Sequence, residues 1–168
     1  MTEVSIIASK SRATFNVPFQ IGENVFSMKF DTGAASTVIS SEIFIDEMTE
    51  EKKSTIKNFL QERNVIGIEF TSASGDCFVG YLIHANGVVV DEAVFADFYY
   101  YLVLDNKRVI ALLGDDFIDH CEFQHNVHGD IVITGFDFAE YGNFDGAMEN
   151  DELLYFLDET VTNRNESR

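Results

Sequence analysis

Phe30-Asp31-Thr32-Gly33-Ala34-Ala35-Ser36-Thr37-Val38-Ile39 places a carboxylate, a hydroxyl and a glycine in consecutive positions between two apolar runs. A carboxylate can activate water as a general base, and a second one held beside it can protonate a leaving group. Two such groups cannot both ionise cheaply, so they share one proton and titrate as a unit. The chain has a single Asp-Thr-Gly; the nearest second candidate, Phe144-Asp145-Gly146-Ala147, lacks the hydroxyl residue. Gly114-Asp115-Asp116 also pairs two carboxylates, a composition that hard divalent cations accept. His120, Cys121, His125 and His128 cluster nearby. Tetrahedral zinc needs such donors to converge, but adjacent His120 and Cys121 would point to opposite sides of an extended chain. Both sets read as ordinary strand, turn or surface residues. No metal and no organic cofactor is expected.

These residues need elements to hold them. Phe15 to Ile21 and Val25 to Phe30 read as strands separated by the turn residues Gly22, Glu23 and Asn24. Thr49 can cap a helix with Glu50 and Glu51 in its first turn; Ile56, Phe59 and Leu60 recur at helical spacing. That helix is expected over about residues 49–63. Val65 to Thr71 and Cys77 to Ala85 then flank the small, polar Ser72 to Asp76, which reads as a long hairpin. Asn86-Gly87 is the strongest turn signal, because both residues tolerate positive φ. Val88 to Val90, Val94 to Phe98 and Tyr99 to Leu104 are further strand candidates, and Asp105-Asn106-Lys107 a turn. The wholly apolar Val109 to Leu113 predicts a strand buried on both faces. Glu122 to Asn126 and Asp130 to Thr134 bracket a turn at His128-Gly129.

The Phe30 to Ile39 segment resembles the active-site loop of the retropepsin-like family, the retroviral-type, single-domain aspartic proteases. Ile110-Ala111-Leu112-Leu113-Gly114-Asp115-Asp116-Phe117-Ile118 is similar to the family's later apolar strand, which ends in Gly behind that loop and leads into a short helix. The order along the chain agrees, and the resemblance covers roughly residues 13–134. It implies an all-β, closed acid-protease barrel with one inserted helix, working as a homodimer on a polypeptide substrate. Asp31, Thr32 and Gly33 would then be catalytic, with Asp31 of each subunit forming the dyad. Thr32 would hydrogen-bond across to the partner loop. The hairpin would be a flap whose tip, Ser72, Ala73, Ser74 and Gly75, touches substrate together with Ala34, Ala35, Val109 and Ala111. Asp115 and Asp116 would face solvent or the dimer partner. Ala34 cannot donate the hydrogen bond a Ser or Thr would give the dyad, which predicts a mildly acidic to near-neutral optimum. Lys29 departs from the family's apolar pattern. Alternation puts it on the same side as Asp31, where it either lines a subsite or dyad wall or reaches to solvent.

The bulk properties narrow the alternatives. A chain of 168 residues fits one protease domain, 1–135, with an acidic C-terminal extension, 136–168, partly helical through Asn150 to Val161 and weakly packed. A formal net charge of −18 argues against nucleic acid and anionic membranes as partners. Two cysteines fit a reducing compartment, and Met1 to Arg12 has no apolar run of signal-peptide type, so a cytoplasmic location is expected. The competing readings are a catalytically silent dimeric binding module of the same fold and a metal-dependent hydrolase.

Overall fold

Strand alternation builds the first hairpin. In β2 (Thr14–Ile21) Val17, Phe19 and Ile21 are buried, and in β3 (Asn24–Phe30) Met28 and Phe30 are buried. Val25, Ser27 and Lys29 therefore face outward, and Asp31 follows on the same side. Gly22, at φ +60°, lies in the turn between them. The structure, a computed structural model, describes all residues except 73, 105–107, 143 and 163–168, and the side chains of 160–162 also lie outside the description.

The remaining strands are β1 (Thr2–Ser11), β4 (Val38–Ser40), β5 (Gly67–Thr71), β6 (Cys77–Val90), β7 (Ala93–Val103), β8 (Ala111–Leu113), β9 (Cys121–His125), β10 (Ile131–Phe136) and β11 (Met148–Glu149). Hydrogen bonding runs β6-β7-β4-β8-β3-β2 and returns to β6 through Phe19↔Val90 and Gln20↔Val89. This closes a six-stranded barrel; β1, β10 and β9 extend from β2 as a sheet, and β5 and β11 flank β6. The fold is thus mostly β, with helices α1 (Glu50–Glu62), α2 (Asp115–Ile118) and α3 (Asn150–Phe156). Closure leaves few free edges to manage. Among the described residues no helix is long and apolar enough to cross a membrane.

The core is aromatic. Phe19, Phe95, Phe98, Tyr100, Phe117 and Phe136 are all fully buried. Each buried Phe contributes about 1.5–3 kcal/mol relative to exposure. Helix α1 starts where Thr49 Oγ1 accepts from Lys52 N–H at 3.2 Å, and it presses Ile56, Phe59 and Leu60 against the barrel. A second apolar cluster lies outside the barrel wall: Val38, Leu82, Tyr101 and Val103, covered by Phe70 and Phe78 of the β5–β6 hairpin.

Three expectations are corrected. Asn86-Gly87 is no turn: both residues lie inside β6, although Gly87 does adopt φ +61°. Asn86↔Asp97 and Val88↔Phe95 keep one register with β7 on either side, so ladder pairing overrides the local signal. The chain reverses instead at Asp91-Glu92, with Asp91 at φ 56°, and Val94 to Val103 is one strand rather than two. Val109 is 60% exposed, and of β8 only Leu113 is fully buried, because the outer face of that strand is not covered along its length.

The acidic segment is the third. Residue 135 falls inside β10, and Phe136, Tyr141, Met148, Leu153 and Leu157 join the main core. Tyr100 donates its buried hydroxyl to Asn150 Oδ1, Phe156 stacks on Phe59 at 3.7 Å, and Arg63 pairs with Glu152 at 3.0 Å. Glu149, Asp151 and Glu152 face out while these apolar residues face in, so the segment packs on the core despite its composition. The expected turn at 105–107 lies outside the described residues.

Candidate active site

Asp31 sits at the end of β3, where its N–H donates to Leu113 O of β8 at 3.0 Å. Its Oδ1 accepts from Gly33 N–H at 2.9 Å, and its carbonyl accepts from Ala34 N–H at 3.1 Å. The loop therefore orients its own carboxylate. The Asp31 side chain is 26% exposed, while Thr32 and Gly33 lie at the surface. A carboxylate at this depth stays reachable by water and by another molecule.

The loop is clasped from behind. Asp115 N–H donates to Ala34 O at 2.8 Å and Asp116 N–H to Ala35 O at 3.2 Å. The first N–H groups of a helix have no partner inside it, and α2 spends two of them on this loop. Gly114 makes the approach possible, since a Cβ there would come within 2.4 Å of the Ser36 carbonyl carbon. Thr37, completely buried, closes the clasp: its hydroxyl donates to Asp116 Oδ1 at 2.6 Å and its N–H to Oδ2 at 3.0 Å. Gly114 N–H donates to the same hydroxyl at 3.1 Å. Burial raises the pKa of Asp116, and the Asp115 charge adds to this; the hydrogen bonds from Thr37 and Phe117 N–H oppose it without cancelling it. Asp116 is thus turned into its own chain, not toward solvent or a partner.

Sequence reasoning missed Thr37 and misassigned Asp116. The two are 79 positions apart. The available signal was the pairing of a hydroxyl before β4 with an acid in the first turn of α2.

The flap candidate is a hairpin from Thr71↔Cys77 downward. Its tip bonds to itself: Ser72 N–H donates to Asp76 O at 2.8 Å, and Ser72 and Ser74 hydroxyls lie 2.9 Å apart. Gly75 takes φ +89°, a conformation glycine tolerates without strain. Ala73 lies outside the described residues. Just below the tip, Phe70 meets the Tyr101 ring at 5.5 Å, and Gly80 leaves room for it: a Cβ would come within 2.7 Å of Phe70.

One row of side chains links these parts. Lys29 pairs with Leu112, Leu112 with Val38, Val38 with Tyr101 and Tyr101 with Leu82. Paired residues share a face, so the row crosses the outer barrel wall from the Asp31 side to beneath the hairpin. Lys29 is its only charged member, and its Nζ lies 3.5 Å from Asp31 Oδ2. Ala34 and Ala111 are half-buried and Ala35 exposed.

The His/Cys cluster does not share this site's contacts. His120 lies against Phe136 and Tyr141, and His125 against Phe15. Burial pushes the Cys121 thiol up to about 12. Among the described residues no group of three His, Cys, Asp or Glu is placed to hold a metal ion. Phe144-Asp145-Gly146-Ala147 turns at Gly146, whose carbonyl accepts from Ile66 N–H at 3.1 Å.

No protein-family model matches this chain, and no curated protein matches it. Among solved structures it is similar to a retropepsin-like aspartic protease from Rickettsia conorii, with 19% identity, a TM-score of 0.48, and coverage of 77% of this chain and 89% of that one. Likeness at that level does not extend to individual residues.

Proposed function

We propose that this chain is an aspartic endopeptidase whose catalytic dyad forms when two copies bring their Asp31 carboxylates together. The observation that carries the reading is the state of Asp31 in one protomer. Its carboxylate is oriented by Gly33 N–H, accessible to solvent, and lies 3.5 Å from the Lys29 ammonium, with no second carboxylate paired to it among the described residues. A loop braced this firmly for one lone acid has the form of half a site, and a two-fold axis supplies the other half.

In the dimer, the ionised Asp31 takes a proton from water while its protonated twin acts as the acid. Thr32 and Gly33, both at the surface, meet the partner loop. An extended peptide lies between the loops and the hairpin, held by main-chain pairing. Ser72, Ser74 and Gly75 of the hairpin tip close over it and exclude bulk water. Ala34, Ala35, Val109 and Ala111 border the bound chain.

The test is cleavage of a peptide library by the wild-type protein and by Asp31→Asn. The reading requires activity that falls by ~10²–10⁴-fold or more in the variant while the dimer persists. It also requires that a chelator leave activity intact. A catalytically silent module would give a dimer in both proteins and cleavage in neither.

A further inference from the structure

We infer that Lys29 is a specificity-determining residue that selects peptides carrying an acidic side chain, Asp or Glu, next to the scissile bond. This rests on the protease reading of Asp31.

Three observations converge on it. First, the Lys29 ammonium lies 3.5 Å from Asp31 Oδ2, so any group reaching the reacting carboxylates passes within its range. Second, its register pairings set the Lys29 stem between the polar Asn16 of β2 and Leu112, the start of an uncharged row that runs on through Val38, Tyr101 and Leu82. Val38, Tyr101 and Leu82 are buried beneath the hairpin, so the apolar floor open to a substrate side chain is the half-buried Leu112, and beside it stands one cation. The methylenes of Glu or Asp fit the floor and the carboxylate fits the cation.

Third, the ammonium is not consumed by Asp31. The Lys29 side chain is 43% exposed and, among the described residues, makes a single ion pair, at 3.5 Å. Such part-exposed pairs are weak, so the ammonium can re-aim at little cost. Lysine is a compact charge with three donors on a flexible stem, and can bridge Asp31 and an incoming carboxylate at once. The rest of the chain makes this cation distinctive: 29 acidic residues against 11 basic ones give a surface that otherwise repels acidic peptides. Selection is therefore local to the subsite rather than a product of long-range steering.

The experiment uses peptides identical except for the residues flanking the scissile bond, set in turn to Glu, Gln, Leu or Lys. Values of kcat/KM are measured for wild type, Lys29→Met, Lys29→Arg and Lys29→Glu. Wild type should favour Glu over Gln by about tenfold, the size of one partly desolvated charge pair. Lys29→Arg should keep the preference, Lys29→Met bring the ratio near unity, and Lys29→Glu favour Lys. A variant that merely disturbed the fold would lower all four rates together and leave their ratios alone. The same peptides with a reduced, uncleavable bond are tested for binding by fluorescence anisotropy. Cleavage without a Glu preference, or with one that Lys29→Met leaves unchanged, overturns the inference and spares the protease reading. A Lys29-dependent Glu preference in binding without cleavage sinks that reading and the inference as stated with it, leaving Lys29 as a determinant of binding alone. Neither cleavage nor a Glu preference overturns both.

Discussion

The carboxylate of Asp116 receives both the hydroxyl of Thr37, at 2.6 Å, and its backbone N–H, at 3.0 Å. This pair ties the four-residue helix α2 to the loop that carries Asp31, through a contact made entirely within one protomer. The clasp holds the Asp31 loop within a single chain, which would lower what the proposed dimerisation has to order.

Asp116→Ala should therefore destabilise the chain by about 2–4 kcal/mol, since two donors of a completely buried Thr37 lose their acceptor. Urea denaturation reads this directly. Because burial raises the pKa of Asp116, its ionisation works against folding. Its contribution is fully present below 3.8, its ordinary value, and fades as pH rises through the folded-state value. An unchanged unfolding midpoint in the variant would mean the clasp is incidental.

His84 gives a second pH dependence. Its Nδ1 lies 2.8 Å from Glu149 Oε2 and its Nε2 2.7 Å from Asp97 Oδ1, with the Tyr99 ring alongside at 4.7 Å. Both contacts are hydrogen bonds only when the ring carries two protons. Burial alone would lower the pKa, but Glu149 and Asp97 outweigh it and raise it above the ordinary 6.5. The sign follows: the stabilisation is complete below 6.5 and is lost as pH rises through the folded-state value. Urea midpoints of the wild type should fall as pH rises above 6.5, and His84→Ala should flatten that slope. Equal slopes would refute the link. The loss should be felt at β11, whose Glu149 pairs with His84 in the strand ladder.

Charge bears on assembly. Each copy carries a formal −18, so two copies repel, and salt screens that repulsion. Sedimentation equilibrium should show a tighter dimer at about 0.5 M than at about 0.05 M salt, with cleavage rising in step at low protein concentration. A dimer weakened by salt would point to an interface held by ion pairs instead.

What could be read from the chain was local. The β2–β3 hairpin, the Thr49 cap of α1 and the small-tipped β5–β6 hairpin each follow from neighbouring residues whose periodicity and turn chemistry agree. Misreadings arose where distant partners decide. Gly87 has the conformation of a turn residue, yet Asp97 and Phe95 across the ladder keep the strand running. Val109 to Leu113 is apolar throughout, but composition does not say whether a second face is covered. In the acidic segment Leu153 and Leu157 show helical spacing, but nothing local says that Tyr141 and Met148 join them in the core. At the site, the Asp31 loop was legible as a motif, whereas Thr37 and Asp116 meet only after folding.

Mixtures of wild-type chains with Asp31→Asn chains, unfolded and refolded together in varying proportion at fixed total concentration, test the shared site most directly. If each site needs Asp31 from two copies, activity falls as the square of the wild-type fraction, to about a quarter at equal mixing. A straight-line fall, to about half at equal mixing, would mean that a single chain catalyses alone and would contradict the account.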